Sequence, residues 1–221
     1  MRRSSNKAIF RIAADGSSAS GKTTGSKLIA NKFKMNFLSS GKLYRYCALK
    51  TLENKNIYNM IFINKIAKSI TLKKLNNKKI YSPEVAKLSS MISKKPFVRK
   101  ALKSFQKNFI KKSRLVIVEG RDIGSKIMPK ADLKLFFTCS IKEKAKRRLK
   151  EFQKLNKKIS LNQVKKALIQ RDKEDTKRKI SPLIMTKNAV LVDTTKLTIR
   201  QMEAKLINLV KESINKKYGN L

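Results

Sequence analysis

The run Gly16-Ser17-Ser18-Ala19-Ser20-Gly21-Lys22-Thr23 carries the densest chemistry in the chain. It fits the pattern G-x-x-x-x-G-K-[ST] without a mismatch. In that pattern successive backbone N–H groups cradle phosphate oxygens, the lysine reaches the outer phosphates and the hydroxyl faces a divalent cation. Context supports the motif. Ala8-Ile9-Phe10-Arg11-Ile12-Ala13-Ala14 before it is an apolar run of strand length. After it, Leu28, Ile29 and Phe33 share one helical face. Strand, glycine loop and helix in that order aim a helix N-terminus at the phosphates. The residues therefore imply a nucleoside triphosphate site.

The arginines form a second group. Lys and Arg total 55, but only twelve are Arg, among them Arg45, Arg99, Arg121, Arg147, Arg148, Arg171 and Arg178. Where lysine is the default cation, arginine marks positions that need a rigid bidentate fork. Glu119-Gly120-Arg121-Asp122 follows the apolar run Leu115-Val116-Ile117-Val118, at the carboxyl end of a strand, where ligands sit in open α/β sheets. Arg171, Asp175 and Arg178 are spaced i, i+4, i+7, which predicts one helix face. That spacing alone fits a surface ion-pair ladder equally well. An N/T-K-x-D base-specifying motif does not occur, which argues against a nucleotide-hydrolysing switch. Anchors for an acceptor argue for a phosphotransferase, whose chemistry asks for positioning and charge stabilisation and not for a histidine base.

The elements that position these groups alternate. Apolar runs at 35–38, 115–118, 133–137 and 189–193 read as further strands. Ser39-Ser40-Gly41 starts a helix through Leu52, and residues 57–70 carry helical spacing. Thr71 to Tyr81 reads as a small exposed insertion. Ser82-Pro83-Glu84 and Pro96 start two more helices, the second reaching about Lys112. Lysine-rich helices are expected over 141–155 and 161–177, and a closing helix over 198–216. The expected fold class is three-layer α/β with a five-stranded parallel sheet. One domain is expected over 1–221, with an acceptor-binding insertion at about 57–100 and a lid at about 147–160.

Composition sets bounds. A hydrophobic share of 41% over 221 residues supports a sizeable core. Two isolated cysteines and no histidine argue against a disulfide framework or a zinc site, and imply reducing cytoplasm. Residues 1–7 form a basic tail without the apolar stretch of a signal peptide, and no run is long enough to span a membrane. The net charge of +41 is scattered over nearly every helix. It predicts non-specific sticking to nucleic acid at low salt and no specific nucleic-acid site.

In order, these motifs resemble the bacterial cytidylate kinases, members of the nucleoside monophosphate kinases. The resemblance runs from Asp15 to the last helix. It rests on Asp15 to Lys22, Ser40-Gly41-Lys42-Leu43-Tyr44-Arg45, Gly120-Arg121-Asp122-Ile123-Gly124, Pro129 to Phe136, Arg171-Asp172 through Ser181-Pro182-Leu183, and Asp193-Thr194-Thr195. It implies a monomer of the P-loop NTPase fold in which ATP, with Mg²⁺, phosphorylates CMP or dCMP. Gly16 through Thr24 would hold the triphosphate, Thr23 and (through a water) Glu119 the metal, and Arg147 and Arg148 would belong to the lid over ATP. Ser40, Ser90, Arg99 and Asp122 would line the cytosine pocket, with Arg171 and Asp175 at the sugar. Arg45, Arg121 and Arg178 would clamp the CMP phosphate. Lys22, Arg121, Arg178 and Asp122 would be the catalytic set.

Some positions depart from the family pattern. Ser39 stands where Asp is usual, Ser17 where Pro is frequent, and Glu119 where Asp is usual, one methylene longer. The stretch between Leu72 and Pro83 is shorter than the family's β-rich insertion. Two alternatives stand beside this reading: a UMP/CMP or AMP kinase, and a basic RNA-associated P-loop NTPase, which only the net charge favours.

Overall fold

The computed structural model describes residues 8–55, 59–153 and 159–219. The basic tail at 1–7, the first two residues of the 57–70 segment and positions 154–158 of the expected lid lie outside them. Two compact units are present, one built from residues 1–38 and 114–221 and one from Ser39–Ser113.

The first unit carries a five-stranded parallel sheet flanked by helices, the expected fold class. Its strands are β1 (Phe10–Gly16), β2 (Asn36–Ser39), β3 (Leu115–Gly120), β4 (Leu133–Thr138) and β5 (Ala189–Asp193), in spatial order β2-β3-β1-β4-β5. In register, Asp15 of β1 faces Gly120 of β3, and Gly16 faces Phe137 of β4. The phosphate-loop start and the Gly120-Arg121 corner are thus level at the same sheet edge.

α1 (Lys22–Lys32) and α8 (Ile199–Tyr218) pack on this sheet. Ile29, Ala30, Met202, Leu206 and Val210 meet Ile12, Ala14, Ile117, Leu135, Phe137 and Val192 in the main core. The spacing 202, 206, 210 is one face of a helix, as burial requires. α8 starts with a capping box between Thr198 and Gln201, and α7 (Leu161–Lys177) with one between Ser160 and Gln163. α6 (Ile141–Gln153) packs against α7 around Ala145, Val164 and Leu168. Arg178 is not on the helix face that its spacing predicts. α7 ends at Lys177, and Arg178 is already extended at φ −64° and ψ 139°.

The second unit is helical: α2 (Ser40–Glu53), α3 (Met60–Ser69), α4 (Pro83–Ile92) and α5 (Pro96–Lys112). α2 packs on α4, and α3 on α5. The 71–81 stretch is not simply exposed. Two short 3₁₀ turns, Lys74–Asn76 and Lys78–Tyr81, bury Leu75 and Ile80 while their lysines stay in water. Cys47 and Cys139 are buried and unpaired with each other, and burial pushes the Cys47 thiol up to about 12, so it is not a reactive thiolate. Among the described residues no helix is long and apolar enough to cross a membrane.

Gly25 tests the fit of α1. A Cβ there would stand 2.8 Å from the Phe137 ring and 2.9 Å from Leu206 Cδ1, both side chains fully buried. Gly25→Ala should cost about 1–3 kcal/mol through overpacking, despite alanine's better helix propensity. Urea unfolding measures it, and an unchanged midpoint would show that the sheet and α8 yield freely.

Candidate active site

The phosphate loop bends where the sequence has glycine. Gly21 caps α1 with φ +79°, a left-handed conformation, and no side chain caps the first N–H groups of that helix. Those N–H groups are the unpaired donors of a helix start, and the helix dipole adds to their pull on an anion. Ala19, also left-handed at φ 56°, packs into the small apolar cluster between α6 and α7. The loop is therefore seated against α6 and α7 by side-chain contact.

Glu119, at the end of β3, ties the loop's two functional side chains together. Its carboxylate accepts from Lys22 Nζ at 3.1 Å and from Thr23 Oγ1 at 2.8 and 2.9 Å. Lys22 and Glu119 are both buried. Burial lowers the lysine's pKa, Arg121 lowers it further, and Glu119 opposes both. A carboxylate and a hydroxyl oxygen converging in this way form a hard donor set. Mg²⁺ is held by such oxygens, a few from protein and the rest from phosphates and water, so these residues fit that ion.

Two residues further along, Arg121 enters a cluster of charges. Its Nε donates to Asp175 Oδ2 at 2.7 Å. Arg178 Nη1 donates to the other oxygen of Asp175 at 3.5 Å, and its Nε donates to the Ser181 carbonyl at 2.6 Å. Burial pushes the Asp175 carboxyl up, but Arg121, Arg171 and Arg178 outweigh it and hold it below the usual carboxylate range. The i, i+4, i+7 spacing is therefore no exposed ladder: Arg178 and Asp175 are largely buried. Asp122 is buried at the next position.

Arg147 and Arg148 diverge. Arg147 donates from Nε to Glu143, from Nη1 to Thr194 Oγ1 and from Nη2 to the Thr194 carbonyl, at 3.1, 2.9 and 2.8 Å. Arg148 pairs with Glu151 at 2.6 Å and covers the Phe152 ring.

The other expected site residues lie in the second unit, each held by its own neighbours. Ser40 Oγ accepts from Gln106 Nε2 at 2.6 Å. Arg45 Nη1 donates to the Ile80 carbonyl at 3.0 Å and lies over Tyr81. Arg99 Nη1 donates to the Ser93 carbonyl at 2.9 Å and lies over Tyr44. Ser90 is on α4, its carbonyl accepting from Ser93 Oγ at 2.8 Å.

Sequence reasoning missed several positions. Asp15 is buried and accepts from the Ile123 and Gly124 N–H groups at 2.8 and 2.7 Å, which fixes the turn after Asp122. Asp172 accepts from Lys144 Nζ at 2.6 Å and from the Ser18 N–H at 3.4 Å, joining α6 and α7 to the phosphate loop. Gln106 is buried between Leu102 and Ile110 on the apolar face of α5. An amide on that face was legible as a positioning group. Asp15 and Asp172 stood inside the quoted motifs, but nothing in those motifs named their partners.

With this geometry in place, comparison with known proteins is direct. A family model described as cytidylate kinase matches residues 12–212. The chain belongs to the cytidylate kinase family. Among curated members, the cytidylate kinase of Thermotoga maritima is 35% identical over 218 residues, covering 93% of this chain and 99% of its own. That of Thermosipho africanus is 37% identical over 211 residues, covering 91% and 95%. That of Carboxydothermus hydrogenoformans is 35% identical, covering 91% and 97%. The crystal structure of TT1252 from Thermus thermophilus superposes with a TM-score of 0.50 at 16% identity over 93% of this chain and 98% of its own, a likeness of fold alone.

Asp15 gives this cytidylate kinase family member a pH signature. Burial raises its carboxyl from 3.8 to about 6, the Gly124 and Ile123 N–H groups and Lys22 pull it down, and Asp122 adds to the rise. The folded value exceeds the unfolded one. Its contribution to stability is therefore fully present below 3.8 and is lost as pH rises through about 6. Between those values wild type should lose stability relative to Asp15→Asn as pH rises. Urea midpoints across that range measure the difference, and parallel curves would count against a titrating Asp15.

Proposed function

We propose that this chain transfers the γ-phosphoryl group of ATP directly to CMP, and also to dCMP, giving the diphosphates. What carries the reading is the end of β3. Glu119, which binds Lys22 and Thr23, and Arg121, which enters the Asp175–Arg178 cluster, are only two residues apart. In this reading one strand end presents Glu119, which would hold a water of the donor's metal, and Arg121, which would take an acceptor phosphate. Family membership supports cytosine as the acceptor's base.

In this reading the phosphate loop from Gly16 to Thr24 binds the triphosphate through its N–H groups, and Lys22 leaves Glu119 for the transferring phosphoryl oxygens. Thr23 would hold Mg²⁺ directly and Glu119 would hold one of its waters. When bound, Mg²⁺ would supply charge neutralisation to the transferring phosphates. Arg121 and Arg178, with Arg45, orient the acceptor phosphate and stabilise charge as it develops on the transferred group. Arg171 and Asp175 take the sugar hydroxyls. Ser40, Ser90, Arg99 and Asp122 take the base: cytosine offers an amine donor to a carboxylate and acceptors to Arg or Ser. Uracil would leave those groups unpaired, a strong basis for rejection. Of the two lid arginines, Arg147 is held beside the phosphate loop, and Arg148 serves the outer face of α6.

The deciding experiment supplies purified protein with MgATP and CMP, dCMP, UMP or AMP, and measures each diphosphate. CMP should be turned over fastest. Equal or faster turnover of UMP or AMP would defeat the cytidine reading, and RNA-stimulated ATP hydrolysis without monophosphate phosphorylation would defeat the kinase reading. Arg178→Lys keeps the charge but loses the fork that spans Asp175 and Ser181, so kcat should fall about 100-fold. Steady-state kinetics on CMP checks this, and a variant with wild-type kcat would refute the role given to the fork.

A further inference from the structure

Thr194 follows β5 directly and is almost completely buried. Its N–H donates to the Thr138 carbonyl at 3.0 Å, fixing it to the end of β4. Its hydroxyl lies 3.0 Å from the Ser20 carbonyl and 3.3 Å from that of Thr138, and accepts from Arg147 Nη1 at 2.9 Å. Its carbonyl accepts from Arg147 Nη2 at 2.8 Å. With Glu143 on Nε, all three nitrogens of the guanidinium are engaged. A planar fork so bound has its orientation fixed. The plane stands against the phosphate loop: a Cβ built on Gly21 would be 3.4 Å from both Arg147 Nη1 and Thr194 Oγ1.

We propose that Thr194 is a positioning residue of the donor site: its hydroxyl links the Ser20 carbonyl of the phosphate loop to the Arg147 guanidinium, and so sets this lid cation beside the loop before ATP arrives. A threonine hydroxyl has one proton and two acceptor lone pairs, which suits it to donate to Ser20 and accept from Arg147 at once. Valine has the same shape and can do neither. Holding the cation in place in advance spares the nucleotide the cost of ordering a long side chain, which is where such a contact contributes to affinity. The proposal rests on the reading of the loop as an ATP site.

Its test is equilibrium binding of ATP and of CMP, measured separately by calorimetry on the complete chain. Thr194→Val should weaken ATP binding about tenfold, the scale of one lost hydrogen bond to a charged group, and leave CMP binding unchanged. Thr194→Ser should restore ATP binding. In an Arg147→Lys background, which loses the fork, Thr194→Val should add little, because the two residues act as one unit. A merely structural Thr194 would lower both affinities together or neither, would make the two substitutions additive, and would overturn the proposal. Thr194→Cys, of similar size with a weak donor, gives the same comparison if the valine variant does not fold. Because the affinities are read without turnover, a failure of the proposal shows in binding, whereas a failure of the kinase reading shows in the product assay.

Discussion

Buried cations govern this molecule. Lys22, Arg121 and Arg178 are largely withdrawn from water, and a desolvated charge is tolerable only beside an opposite one. The chain has 14 acidic residues against 55 basic ones. Five of those acids, Asp15, Glu119, Asp122, Asp172 and Asp175, stand at the phosphate loop, the strand end after β3 or the helix that faces them. Scarce anions are thus concentrated where cations are buried, while most lysines face water and need no partner. The positions of β1, β3 and α7 follow from this, because those elements bring the acids to the arginines.

The same requirement explains why the loop is joined so closely to α6 and α7. Asp172 of α7 takes Lys144 of α6 and also reaches Ser18, and Ala19 inserts into the apolar cluster of those helices. Polar and apolar contacts therefore act along one line, and a change in the α6–α7 pair is felt at the loop's backbone.

Much of the fold was legible in local pattern. Pro96 opened a helix that ends at Lys112, and Ala189–Asp193 is a strand, because proline at a helix start and a short apolar run are decided by nearest neighbours. Arg178 was misplaced for the opposite reason. Helical spacing continues through it, but the chain leaves the helix there, Arg178 Nε bonding the Ser181 carbonyl and the Leu183 N–H the Asp175 carbonyl, which spacing cannot reveal. Leu75 and Ile80 were misread because 3₁₀ turns bury them within a lysine-rich stretch. In the candidate site, residues with strong motifs stood out. Asp15 and Thr194, though inside such motifs, and Gln106 act on backbone or on other side chains across long stretches of sequence, and their partners are known only once the chain is folded.

Glu119 has one more consequence. Lys22 and Thr23 already hold an anion, one supplied by the protein itself, so any ligand entering this loop arrives by exchange. Chloride or inorganic phosphate offers few contacts in return for displacing a buried carboxylate and gains little from the swap. Under the proposed reading, a polyphosphate chain with a divalent ion would make many contacts at once, and the displaced carboxylate would take up a water of that ion. In that reading the internal anion would set a threshold of valence that favours the polyphosphate of a nucleotide over the small anions of its surroundings.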